Sequence, residues 1–224
     1  FAWAGALGLS NADRVIGKED STVAHAKDLD VVLGSERTAV IIDDTVGVWP
    51  QHAAQLLIPR RYHFFGSSAA RDTSLPVGFR AHLLTGHDEE AAHGQLHALL
   101  TALRAVHADY FARLDAQRAL SSSAPQPTPL PPIVADSVRS VRRKVLGGVT
   151  IVFSHVIPLQ QQQRDPESHP AWSLALELGA KVSTSLSNTV THVVAGSEGT
   201  DKVRWARAQP RVHAVSVEWL ASCG

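Results

Sequence analysis

The 224-residue sequence has no methionine, a single cysteine (Cys223), only 6% aromatic residues and no net charge, with 21 Lys plus Arg against 21 Asp plus Glu. Each scarcity excludes something. One cysteine cannot close an intramolecular disulfide, so the fold lacks that staple and suits a reducing compartment. Charge balance removes any global attraction to nucleic acid or an anionic membrane, leaving only local patches to argue from. No run approaches the ~20 apolar residues needed to cross a bilayer. With Phe1 first and no methionine anywhere, the sequence is expected to be a segment of a longer chain. The apolar opening Phe1 to Leu9 has no basic stretch before it, which argues against a signal peptide.

What is present suffices for a folded protein. Hydrophobic residues make up 44% and charged residues 19%, enough to bury a core, and 224 residues fit two cores of roughly 100 residues each. The seam is Ser121-Ser-Ser-Ala-Pro-Gln-Pro-Thr-Pro-Leu-Pro-Pro132, where prolines remove backbone donors and serines favour turns. Before it, Thr38-Ala-Val-Ile-Ile-Asp-Asp reads as a strand buried on both faces of a parallel sheet. From about Glu89 to Leu114, Leu96, Leu99, Leu100, Leu103, Val106, Tyr110 and Phe111 recur at helical spacing. The fold class is α/β.

After the seam, strands and helices alternate: Val149 to Phe153, a helix from His169 to Leu178 stopped by Gly179, Lys181 to Thr184, Thr191 to Ala195, a helix from Asp201 to Arg207, an edge strand Val212 to Val215, and a helix from Val217. Gln160 to Gln163 reads as a polar loop. Leu-Gly-Gly-Val-Thr-Ile-Val-Phe-Ser from Leu146, Gly179-Ala-Lys-Val, Thr191-His-Val-Val-Ala, and Trp219 four residues before Cys223 resemble a BRCT domain, a small parallel-sheet module. Trp219 and Cys223 are expected to be core. The resemblance implies phosphopeptide recognition, with Ser154, Thr200 and Lys202 on the positions that bracket a phosphate in such domains. A hydroxyl donor and an ammonium suit a dianionic phosphate. The pattern departs at His155, where phosphate-binding members carry glycine. The bland alternative makes Thr200 a helix cap and Lys202 a solvated charge.

Arg14-Val-Ile-Gly-Lys-Glu-Asp, Lys27-Asp-Leu and Val40-Ile-Ile-Asp-Asp-Thr-Val-Gly-Val-Trp, in that order, resemble the later half of the catalytic domain of RNA polymerase II C-terminal-domain phosphatases, aspartate-based enzymes of the haloacid dehalogenase superfamily. Arg61-Tyr-His-Phe-Phe and His87-Asp-Glu-Glu resemble the plant-type members. Paired carboxylates after a buried strand suit a hard cation such as Mg²⁺, so Asp43 and Asp44 are the metal candidates; by resemblance Asp44 ligates directly and Asp43 acts through water or orients neighbours. Lys27 matches the lysine that neutralises the nucleophile and the phosphoryl oxygens. The resemblance further implies attack by one aspartate and hydrolysis assisted by a second two residues on. Both are expected upstream of Arg14. Asp28-Leu-Asp superficially fits that motif, but Thr22 to Lys27 is not the buried strand the motif needs, and we reject it.

Some signals carry little. His93 and His97 lie one turn apart with no third ligand, and Arg139, Arg142, Arg143 and Lys144, with no aromatics between them, read as a solvated lead-in helix. Trp49, Trp172 and Trp205 are expected to pack. The reading is thus a partial haloacid-dehalogenase-like parallel-sheet domain over 1–118, a Pro/Ser-rich linker over 119–138 and a BRCT domain over 139–224. Its implied function is a nuclear, Mg²⁺-dependent protein-serine/threonine phosphatase of the phosphorylated polymerase repeats, inactive as this chain alone. General transcription factors or other phosphoproteins are the expected BRCT partners, with no membrane and no direct nucleic acid. The alternatives are a non-enzymatic phosphopeptide adaptor with a degenerate phosphatase half, and a phosphatase of small phosphate esters.

Overall fold

The computed structural model describes residues 22–30, 36–63, 67, 71, 94–121 and 130–224. They fall into two units, Phe1–Ser137 and Val138–Gly224. In the first, β1 (Ile41–Ile42) pairs in parallel with β2 (Leu56–Leu57), Ile41 opposite Leu56. The strand expected over 38–44 is therefore shorter, and it is covered on one face only: Ile41 is buried while Ile42 is 46% exposed. Its end has a local cause. The Asp43 carboxylate accepts the Thr45 amide at 2.8 Å, which turns the chain away from the ladder just as Asp43 makes its last bond, N–H to the Leu57 carbonyl at 3.2 Å. Leu29, Ile41 and Leu56 are the buried cluster here, with Ala39 and Trp49 packed against it.

Helix α1 (Gln95–Ser121) starts six and ends seven residues later than its periodicity suggested. Val106 is buried and Leu99, Leu103 and Tyr110 are half-buried, whereas Leu100 and Phe111 are exposed. Leu99, Leu103, Val106 and Tyr110 form one stripe; Leu100 and Phe111 each follow a stripe member by one residue and so point roughly 100° away. The stretch read as linker holds the last three residues of α1 and the start of α2 (Val134–Arg142). Residues 122–129 lie outside the described residues, as do 1–21, which include the Arg14 motif, and His87 and His93.

The second unit is a four-stranded, wholly parallel sheet. Its strands are β3 (Thr150–Ser154), β4 (Lys181–Ser183), β5 (His192–Ala195) and β6 (His213–Ser216), ordered β4-β3-β5-β6. The central strands alternate between two cores. Ile151, Phe153 and Val194 face a cluster with Leu146, Trp172, Ala175 and Leu220, while Val152 and Val193 face one with Val190, Val203 and Ala206. Burial on both sides is why β3 and β5 read as near-continuous apolar runs.

Helices cover the faces: α3 (Leu159–Arg164), α4 (Pro170–Glu177), α5 (Asp201–Arg207) and α6 (Val217–Ser222). The glutamine tract expected as loop is α3, an exposed turn and a half that straight-chain glutamines form readily. Proline at the first position and His169 Nδ1 accepting the Ala171 amide start α4. Gly179 ends it at φ +91°, and a Cβ there would stand 1.8 Å from the Arg143 carbonyl oxygen. Only glycine fits.

Candidate functional site

The loop from Asp43 to Gln55 joins β1 to β2, and the segment from Thr22 to Asp30 lies against it. Lys27 is fixed at both ends: its amide donates to the Val48 carbonyl at 2.6 Å, and its Nζ lies 2.5 Å from Asp43 Oδ2. The Trp49 indole N–H donates to the same oxygen at 3.0 Å, and the ammonium stands 5.7 Å from the Trp49 ring centroid, within cation–π range. Burial opposes ionisation of Asp43, but Lys27, Trp49 and the Thr45 amide outweigh it and hold the carboxyl below its ordinary value. The pair is asymmetric in exposure, with the Lys27 side chain 56% exposed and Asp43 11%. The cation can therefore reach solvent while its anchor cannot.

Asp44 turns to other partners. Arg61 Nε donates to its Oδ2 at 2.7 Å and the Thr45 hydroxyl to its Oδ1 at 2.8 Å, while Arg61 Nη2 also reaches Thr45 Oγ1 at 3.1 Å. Arg61 first and Thr45 second keep this carboxyl ionised to lower pH than usual. A carboxylate has about four acceptor positions. Asp43 spends three on fixed donors; Asp44 spends two and is more exposed, so Asp44 has the room for a cation. Among the described residues no group of three or more His, Cys, Asp or Glu could hold a metal.

In the second unit Ser154, Thr200 and Lys202 converge at the C-terminal end of β3. Ser154 Oγ and Thr200 Oγ1 are 2.8 Å apart, and Lys202 Nζ donates to the Phe153 carbonyl at 2.9 Å. Thr200 also caps α5 by accepting the Val203 amide at 3.3 Å. Partial burial lowers the Lys202 pKa. His155 follows at φ +54°, in the left-handed region, with Nδ1 3.4 Å from Ser197 Oγ. Gly196 permits that approach, because a Cβ there would meet the His155 carbonyl oxygen at 2.4 Å. Further along the same edge, a cavity of about 330 Å³ opens beside Val203, Arg207, Ser216 and Glu218.

Residues 142–223 match the BRCA1 C Terminus (BRCT) domain family. RNA polymerase II C-terminal domain phosphatase-like 4 of Arabidopsis thaliana is 38% identical over 208 residues, covering 93% of this chain and 43% of that protein. RNA polymerase II C-terminal domain phosphatase-like 3 of the same plant is 36% identical over 193 residues, covering 86% of this chain and 14% of that protein. The chain is a homologue of the C-terminal domain (CTD) phosphatase-like proteins. The solved structure of Fcp1, an essential RNA polymerase II CTD phosphatase, superposes with a TM-score of 0.60 at 22% identity, over 99% of this chain and 69% of that one. That likeness establishes the fold: parallel-sheet α/β with a BRCT domain. The chain spans less than half the length of these two plant relatives.

Within this CTD phosphatase-like framework the structure brings Lys27 to Asp43 and sends Asp44 toward Arg61. In the BRCT domain it brings Ser154, Thr200 and Lys202 together, though each polar group already has a partner inside the fold. Lys202 is thus not the solvated charge of the bland alternative. Four participants escaped the sequence reading. Trp49 packs as expected but also donates to Asp43; Thr45 and Arg61 hold Asp44; and His52, 24 residues from Asp28, lies 2.8 Å from its Oδ1. No local spacing encodes that last contact. Trp219, expected in the core, is half-buried and stacks on His192 at 4.9 Å, while Leu220 beside it is the buried anchor of α6.

Proposed function

We propose that this chain supplies the lysine and acid-pair portion of a nuclear protein-serine/threonine phosphatase that acts on the phosphorylated C-terminal heptad repeats of RNA polymerase II. The observation that carries the reading is the Lys27 ammonium held on Asp43 at the end of β1, in a chain homologous over most of its length to CTD phosphatase-like proteins. Open α/β sheets bind ligands outside the carboxyl ends of their strands, where these groups stand. Lys27 neutralises charge on the transferring phosphoryl group, Asp43 and Trp49 hold it in place, and Arg61 and Thr45 orient Asp44. Asp44 would contribute an oxygen to Mg²⁺, which when bound supplies Lewis-acid stabilisation of the phosphoryl oxygens. The attacking aspartate and its partner are placed upstream of Arg14.

The BRCT domain serves as a phosphoprotein-binding module, for general transcription factors or other phosphoproteins, with Ser154, Thr200 and Lys202 as its phosphate-side donors. A non-enzymatic adaptor is the second reading, favoured by the convergence of those three residues. The test is phosphate release from phosphoserine heptad peptides with Mg²⁺. The 224-residue chain should show none, and the protein extended through its upstream coding sequence should turn over, with kcat lowered roughly 100-fold or more by Lys27→Ala. Sustained turnover by the short chain, abolished by Asp28→Asn, would overturn the assignment; inactivity of the extended protein would favour the adaptor.

A further inference from the structure

We infer that Asp28 and His52 are a positioning pair that holds Lys27 on Asp43, and so sets where the cation of the proposed phosphoryl-transfer site stands. Asp28 directly follows Lys27, and its Oδ1 does two jobs: it accepts the Leu29 amide at 2.6 Å and faces His52 Nε2 at 2.8 Å. The first bond fixes the turn of the chain just after Lys27. The second ties that turn to the loop carrying Trp49. His52 is a rigid base for it, since its side chain is 9% exposed and its ring meets Trp49 edge-on at 6.3 Å. Hydrogen bonding from His52 is the foremost cause of a lowered Asp28 pKa, so the carboxylate is ionised and the imidazole Nε2–H donates.

The segment bearing Lys27 has other ties of its own, among them the Ala26 amide on the Val23 carbonyl at 3.4 Å. Thr22 Oγ1 donates to Asp30 Oδ2 at 2.7 Å and closes it as a loop, Leu29 anchors one side in the apolar cluster, and His25 sits at φ +60°, in a region that costs a non-glycine residue energy. A long, half-exposed lysine otherwise keeps its rotamer freedom. Fixing the backbone on both sides of it, at the Lys27 amide by Val48 and at Asp28 by His52, confines the ammonium to the neighbourhood of Asp43. Asp28 is in this way occupied in holding the loop. Neither residue touches the reacting atoms; both act through Lys27.

Lysine-reactivity mapping of the whole chain tests this. A limiting amine reagent is applied, and the rate at Lys27 is read by mass spectrometry against exposed Lys144 and Lys181. In His52→Leu, which keeps bulk and loses the donor, Lys27 should label roughly tenfold faster than in the native chain, the factor matching one lost hydrogen bond to a charged group. His52→Gln, which restores an N–H donor at similar reach, should return the rate toward native. If His52→Leu does not fold, Asp28→Ala, which removes the acceptor, decides, with the same acceleration expected. An unchanged Lys27 rate in a folded variant, or equal rates in the Leu and Gln variants, would overturn the inference. The role of Lys27 in catalysis rests on the proposed phosphatase reading, but the labelling does not. Failure of that reading would appear separately, as undiminished turnover of the extended protein carrying Lys27→Ala.

Discussion

The two units hold their candidate site residues by different means. In the BRCT domain, eleven buried residues on one face of the sheet and five on the other fix the strands, and Ser154, Thr200 and Lys202 are carried at the strand and helix ends that this packing determines. In the first unit the described apolar cluster has three buried members, and Lys27, Asp43, Asp44 and Asp28 are placed by one another's charges and by Trp49, Arg61 and His52. Apolar burial positions an element as a whole and does not hang on any one charged partner. Ion pairs and charged hydrogen bonds position single side chains, and are undone by changing one partner.

The comparison breaks first in the core. Leu220→Ala should destabilise the BRCT domain by about 2–5 kcal/mol, since the side chain is 1% exposed and its loss leaves a cavity. Urea unfolding followed by tryptophan fluorescence would show it, with Lys27 labelling unaltered. A smaller effect is expected from Asp43→Ala, which strands the Lys27 ammonium, the Trp49 indole and the Thr45 amide together. About 1–3 kcal/mol should be lost from the first unit, and the BRCT transition should not move. Equal shifts in both transitions would show that the two units do not differ as argued.

The smallest effect concerns a place where protonation bears on the BRCT sheet. His192 stacks under Trp219 at 4.9 Å and lies 5.0 Å from the His213 ring. Burial, and secondarily the His213 charge, hold its imidazole below the ordinary 6.5. The unfolded chain therefore binds this proton more readily than the fold. Stability from His192 is complete above pH 6.5 and declines as the pH drops through the lowered folded value. Thermal melts between pH 7.5 and 5 should fall in the native chain and fall less in His192→Gln; parallel curves would count against the stack.

Legibility in the sequence follows the same division. The BRCT strands and helices were readable because each is a short apolar run or stripe bounded by Thr200, Gly179 or Ser216, and helix Asp201–Arg207 was read to the residue. The Lys27 element was readable only by resemblance, the acid pair also from its place after an apolar strand. Their geometry was not, because Asp28 and His52 lie 24 residues apart and Arg61 and Asp44 lie 17 apart, and a charged contact across a loop leaves no periodicity to find. The strand over 38–44 was overextended for a related reason. Its β-branched residues carry strand propensity, but the Asp43 side chain captures the Thr45 amide and ends the ladder.

The ammonium resting on its own carboxylate also bears on whatever approaches the end of β1. An ammonium carries three donors, so Lys27 can keep its carboxylate 2.5 Å away and still offer the remaining N–H groups to an anion approaching from solvent. The resting loop is in this respect self-neutralised: the Lys27 charge is matched before any ligand arrives.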